Sequence, residues 1–284
     1  MHRVVEQTQV MHAVEALYRA FPMARRLAYR AWYYQLARYD RHGEVAFTNY
    51  GYDWPEGEPA PELLPDDEAH RLGVQLYHHV ATGAELAGRD VLEVGCGRGG
   101  GTSYIARYLK PRTTWGLDLD AGAIRFCRHA HRAPGLRFRR GSSERLPFAA
   151  GSFDAVVNVE SSHCYGSMHS FLREVHRVLR PGGRFLIADF RNRERVGVLR
   201  GQFARAGFLV ERELAITDRV FGALARDNER KLELIRRRVP APFRAVFNQF
   251  AATEGTPTWE AFRTGSWQYL SFALRRNGPL PEAS

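Results

Sequence analysis

Short apolar runs with strand character recur along the middle of the chain, at 90–95 (DVLEVG), 114–119 (TWGLDL), 136–140 (LRFRR), 153–159 (FDAVVNV) and 184–190 (RFLIADF). Between them apolar positions fall at helical spacing over 101–110, 121–132, 168–180 and 194–206. Strand and helix alternating in this way predict an α/β domain, a doubly wound parallel sheet with helices on both faces. A further strand-like run, FLVERELAIT, follows Gly207, helices broken at Pro240 and Pro242 are expected over 219–263, and the alternating run WQYLSFALRR comes last. Upstream, residues 5–40 read as an aromatic helical region, divided by the hinge candidate EGEPAPELLPDDE from a helix running to about Thr82 that Asp66 or Asp67 would cap.

Composition narrows the classes. With 284 residues, 44% hydrophobic and 12% aromatic, the chain buries too much apolar surface to be disordered. Cys96, Cys127 and Cys164 are widely spaced and form no C-x-x-C pair, so neither a disulfide framework nor a zinc site is expected. No continuous apolar stretch suits export or membrane spanning, and the chain reads as cytoplasmic. The formal charge of +10 is carried almost wholly by dispersed arginines, since only Lys110 and Lys231 are lysines; no nucleic acid partner is expected from it. The one local concentration, Met23 to Arg41, is either a packed helix with snorkelling arginines or a peripheral membrane contact.

Candidate chemistry starts at VLEVGCGRGGGTSYIA, where Gly95, Gly97 and Gly99 span a strand end and a helix start. Glycines there let the backbone approach a ligand and turn sharply. The carboxylate of Glu93 would repel a pyrophosphate and suits an ammonium group, while Asp118, twenty-five residues on, stands where an acid takes the hydroxyls of a ribose. Its other reading is a helix cap. An amine together with a ribose points to S-adenosyl-L-methionine, with a nicotinamide cofactor the lesser alternative.

E-x-G-x-G-x-G followed by GLDL resembles the signature of class I S-adenosylmethionine-dependent methyltransferases, and GSSERLPFAAGSFDAVVNVE and HRVLRPGGRFLIADF resemble the segments that follow it in that family. The resemblance implies a Rossmann-like, mostly parallel seven-stranded sheet with a helical N-terminal region and a helical insertion between the last two strands. The units are a cap over 1–65, a cofactor-binding core over 66–218, a lid over 219–263, and the final strand and tail over 264–284. It also implies that Ser142, Ser143 and Glu144 border the adenine, that Leu119 packs on its face, and that Asn158 sits beside the methionine moiety. Where the family usually has Asp, this chain has Ser142. FTNYGYDW, NVESSHCYGS and RRNGPL are similar to the phthiotriolone and phenolphthiotriolone dimycocerosate methyltransferases and related polyketide O-methyltransferases. Resemblance to sterol-type methyltransferases assigns Tyr52 to the cofactor.

Methyl transfer is an in-line displacement in which the protein aligns the nucleophile and often removes its proton. At the ends of the fourth and fifth strands the chain offers Glu160, His163 and Asp189. His163, as a neutral imidazole, is the first choice of base; Asp189 would orient it, and Glu160 would fix the loop or act chemically. No metal is expected. The activity expected is O-methylation of a hydroxyl or enol on a lipophilic polyketide-like small molecule. The alternatives are C-methylation of a terpenoid or sterol-like acceptor, and a chain that keeps the cofactor only to shape a pocket for binding or cyclisation. A nucleic-acid methyltransferase is disfavoured, because no N-P-P-Y tetrad follows the fourth strand.

Overall fold

The computed structural model describes residues 45–278. The expected N-terminal helical region and the basic aromatic segment from Met23 to Arg41 lie outside them. Seven strands form one sheet: β1 (Asp90–Val94), β2 (Thr113–Asp118), β3 (Leu136–Arg140), β4 (Phe153–Val159), β5 (Leu179–Asn192), β6 (Phe208–Ala215) and β7 (Trp267–Arg276). Their spatial order is β3-β2-β1-β4-β5-β7-β6, with β7 antiparallel to both of its neighbours. Each expected strand is present, in the doubly wound, mostly parallel α/β arrangement. The order reverses between β1 and β4, so the loops at their carboxyl ends diverge and leave a crevice for a ligand.

The helices are α1 (Arg71–Ala81), α2 (Gly100–Tyr108), α3 (Ala121–Ala130), α4 (Met168–Val178), α5 (Val196–Arg205), α6 (Thr217–Arg238), α7 (Arg244–Ala251) and α8 (Pro257–Arg263). The last three fall between β6 and β7, and the break between α6 and α7 falls at Pro240, where a proline cannot continue the hydrogen-bonded turn. One core layer joins α1, α2 and α6 to the sheet through Leu76, Tyr104, Ile105, Leu186 and Val220; the other joins α4 and α5 through Phe171, Leu172, Phe185 and Phe203. Every residue of β1 is buried, as a central parallel strand covered on both faces requires. Among the described residues no helix is long and apolar enough to cross a membrane.

Two local expectations are corrected. Residues 65–70 form a 3-10 turn ahead of α1, with no side-chain cap. Asp67 is instead buried, taking a two-pronged bond from Arg107 at 2.7 Å on each oxygen and a third from Tyr108. The glycine turn at 182–183 lies within β5, whose pairing with β4 starts at Leu179, so the preceding helix ends at Val178.

Candidate active site

The loop after β1 is held from two sides. Asp118, at the end of β2, accepts the Gly97 amide at 2.9 Å on one oxygen and the Asp120 amide at 2.9 Å on the other. Asp120, not Asp118, caps α3, accepting the Ala123 amide at 2.7 Å. Asp118 is thus left at the crevice as a partly open carboxylate whose pKa burial raises to about 6. Next to it Leu119 is 46% exposed, an apolar surface at a strand end where a flat ring can lie.

Glu93 departs from expectation. Its side chain is fully buried beneath the loop, where Oε1 accepts the Tyr77 hydroxyl at 2.6 Å and Oε2 accepts the Thr102 hydroxyl. Burial pushes its pKa up to about 7. The carboxylate therefore ties α1 to α2 under the glycine loop and does not open on the crevice.

The loop after β4 connects two compartments. On one side Asn158 Nδ2 donates to the Val94 carbonyl (2.8 Å), Ser161 Oγ (2.7 Å) and the Tyr165 hydroxyl (2.9 Å), which fastens this loop to the one after β1. Asn158 Oδ1 is buried and accepts no hydrogen bond. Glu144, in the bend after β3, accepts the Gly166 amide at 3.0 Å, and Ser142 Oγ accepts the Glu144 amide at 3.2 Å with Ser143 between them. On the other side Glu160 and His163 line a cavity of about 470 Å³ with Asn49, Tyr50, Phe190 and, from α6 and α7, Lys231, Leu234 and Phe247.

His163 is fixed by Asp189. Its Nδ1 lies 2.7 Å from Asp189 Oδ1 and its amide donates to Oδ2 at 3.0 Å; Ser162 donates to Oδ2 at 2.6 Å, and Arg191 stands 3.2 Å away. With Nδ1 committed to the carboxylate, ring chemistry falls to Nε2. Asp189 is 2% exposed, does not line the cavity and orients the ring. Burial alone would lower the His163 pKa, but the Cys164 sulfur and the Asp189 carboxylate outweigh it and raise it to about 10. The expected neutral imidazole is therefore replaced by a group that holds its proton at neutral pH, while Asp189, despite burial, is held well below the usual carboxylate range by His163 and Arg191. Glu160 accepts the Tyr50 amide and the Tyr269 hydroxyl, both at 2.8 Å, in a left-handed conformation (φ 46°) that costs a non-glycine residue about 1–2 kcal/mol. Burial raises its pKa to about 7.

With this geometry in view, comparison with known proteins decides the family. The methyltransferase domain family matches residues 92–187. The phthiotriol/phenolphthiotriol dimycocerosates methyltransferase of Mycobacterium tuberculosis (strain ATCC 25177 / H37Ra) is 37% identical over 252 residues, covering 88% of this chain and 92% of that protein. The chain belongs to the S-adenosylmethionine-dependent methyltransferases. A fatty-acid O-methyltransferase of Mycolicibacterium smegmatis is 40% identical to this methyltransferase over 253 residues, 88% of this chain and 89% of the relative. Among solved structures, the cyclase SpnF aligns with a TM-score of 0.67 at 18% identity over 87% of this chain and 94% of its own. Geranyl diphosphate C-methyltransferase from Streptomyces coelicolor A3(2) gives 0.62 at 20%, over 89% and 97%. These two likenesses speak of the fold.

The methyltransferase's residues also fit the methyl donor as a molecule. Asn158 Oδ1 is a buried acceptor in need of a donor such as an ammonium, Asp118 is a carboxylate at a strand end, and Leu119 is an exposed apolar face. Tyr52 is 6% exposed and stacked on His79 with ring centroids 4.6 Å apart. Tyr50, two residues earlier, lines the acceptor cavity and stacks on Phe190 at 5.7 Å. Simple alternation would put residues 50 and 52 on one face; the intervening Gly51, at φ 87°, breaks that alternation. Lys231, one of only two lysines in an arginine-rich chain, also lines the cavity.

Proposed function

We propose that this methyltransferase methylates an oxygen, a hydroxyl or enol, of a lipophilic polyketide-like small molecule held in the cavity beside His163. The observation that carries this reading is the loop after β4: Asn158, Ser161 and Tyr165 face the glycine loop, while Glu160 and His163, from the same short stretch, face the apolar cavity. Donor and acceptor compartments meet across these few residues. The two relatives named for phthiotriol dimycocerosates and for fatty-acid O-methylation support a lipophilic acceptor.

Bound S-adenosyl-L-methionine supplies an electrophilic methyl group. Asp118 would take the ribose hydroxyls, Leu119 with Ser142, Ser143 and Glu144 would surround the adenine, Asn158 Oδ1 would accept from the amine, and Gly95 and Gly97 would bring the backbone close. Glu93 would act from beneath by keeping the loop in shape. On the acceptor side, His163 Nε2 is the group that takes or holds the proton of the reacting oxygen, Asp189 fixes the ring, and Glu160 fixes Tyr50 and the loop. Helices α6 and α7 act as a lid over the cavity that excludes water from the reaction. Incubation with S-adenosylmethionine and an extract of hydrophobic metabolites should give S-adenosylhomocysteine and one product heavier by a methyl group. Cofactor bound but never consumed would overturn the transferase assignment of these residues.

Replacing Asp118 separates the cofactor assignment from the fold. Asp118→Ala should weaken S-adenosylmethionine binding by about 1–3 kcal/mol in calorimetry, the cost of removing a hydrogen-bonding carboxylate and loosening the Gly97 amide it holds. Unchanged affinity would remove Asp118 from the ribose.

A further inference from the structure

Lys231 is a cation brought into the cavity by the lid helix α6. Its side chain is 13% exposed and lines the same cavity as His163 and Glu160. An ammonium has three N–H donors. One reaches the Ala251 carbonyl at 3.3 Å; the nearest carboxylate, Asp227 Oδ2, stands 3.9 Å away and already accepts Arg230 at 2.7 Å. Asp227 Oδ1 is likewise taken by Arg230 at 2.6 Å. Arg71, which also lines the cavity, is forked on Glu68. Arg71 and Arg230 thus each hold a carboxylate in a two-pronged pair, whereas Lys231 has only the longer contact to a carboxylate that Arg230 already takes.

The Tyr50 ring centroid lies 6.0 Å from Nζ, and Leu234, Phe247 and Phe250 line the same cavity. Holding an under-bonded cation in such a place is costly unless a counter-charge completes it. Glu160 is the other acidic group acting on it, and its carboxyl is already committed to Tyr50 and Tyr269.

We propose that Lys231 reads the acceptor's charge: the acceptor oxygen belongs to an acidic group, a carboxylate or an acidic enol ionised at neutral pH, which enters between Lys231 on the lid and His163 on the sheet. This rests on the transferase function proposed above and takes the reacting oxygen to be that of an acid, a carboxylate included. Burial lowers the Lys231 pKa to about 8, so the ammonium persists at neutral pH but is poorly solvated, the state an entering anion relieves. Glu160, with its pKa near 7, can take up a proton as a second negative charge arrives. An acceptor that is already ionised needs no base, which suits an imidazole that keeps its proton.

The test is calorimetry of the full chain at neutral pH with three probes: dodecanoate, 2-dodecanoylcyclohexane-1,3-dione as an acidic enol, and 1-dodecanol. At least one acid should bind ten-fold or more tighter than the alcohol, the difference expected of a charge-assisted hydrogen bond, and the acid preferred identifies the source of the anion. Lys231→Met should weaken that acid ten-fold or more and the alcohol less than two-fold, and Lys231→Arg should restore most of the loss. Equal binding of acids and alcohol to the unaltered protein, or a Lys231→Met loss shared equally by all three, overturns the proposal. Failure of the transferase reading shows elsewhere, as S-adenosylmethionine that is never consumed, and leaves the ratio of acid to alcohol affinity untouched.

Discussion

On an un-ionised hydroxyl acceptor, His163→Ala should lower turnover by a factor on the order of a hundred or more while S-adenosylmethionine binding is retained, the range expected when a positioned proton-transfer group is removed. Cofactor binding should survive because His163 is tied to Asp189, packs on Phe190 and lines the acceptor cavity. Single-turnover formation of S-adenosylhomocysteine measures the loss. A variant with full turnover would leave His163 as a packing residue on Phe190, whose ring centroid lies 4.3 Å from its own.

The pH dependence carries the same argument further. His163 holds a pKa of about 10, so on an un-ionised hydroxyl acceptor, where the neutral ring must take the proton, turnover rises with pH up to that value. On an acidic acceptor the imidazolium is the useful form, and turnover stays level before falling near pH 10. Stability follows a related rule. The folded pKa lies above the unfolded value of about 6.5, so the His163–Asp189 pairing contributes fully below that pH and is lost as pH rises through about 10. Thermal denaturation from pH 6 to 10 should show a decline that is shallower in His163→Ala.

The sheet was legible because β1, β4 and β5 are buried on both faces and so read as continuous apolar runs, and because helices at 3.6-residue spacing separate them. The placement of the glycine loop and Asp118 at the crevice was legible for a similar reason: residue type and strand position are both local. What escaped depends on contacts far along the chain. Glu93 seemed open to a ligand because nothing nearby in sequence shows that Tyr77, sixteen residues earlier, and Thr102, nine later, close over it. Tyr50 lines the acceptor cavity because one glycine torsion decides which ring faces it. The charge of His163 depends on Asp189, on β5 beyond the loop that carries the ring, and Lys231 reaches the site because α6 packs back against β7.

Gly101→Ala tests the buried support that sequence alone did not reveal. A Cβ at position 101 would stand 1.9 Å from Tyr77 Cε1 and 2.0 Å from Cζ, far inside contact distance. The ring cannot swing aside cheaply, because its hydroxyl is held by Glu93 in a fully buried site. Overpacking of this kind costs about 1–3 kcal/mol and sometimes more, and alanine's better helix propensity returns only about 1 kcal/mol. A net loss of up to about 2 kcal/mol should lower Tm by up to about 3–4 °C in a protein of this size, with weaker cofactor binding because the displaced Tyr77 frees Glu93 beneath the glycine loop. In a Tyr77→Ala background the same substitution should cost almost nothing, since the clashing atoms are gone, so the pair should be strongly non-additive in a double-mutant cycle. Additive effects would mean that the loop rests on something other than the Tyr77–Glu93–Thr102 chain. Strong coupling that appears in both Tm and cofactor affinity would show that the carboxylate expected to touch the ligand serves it from below, by fixing the backbone that does.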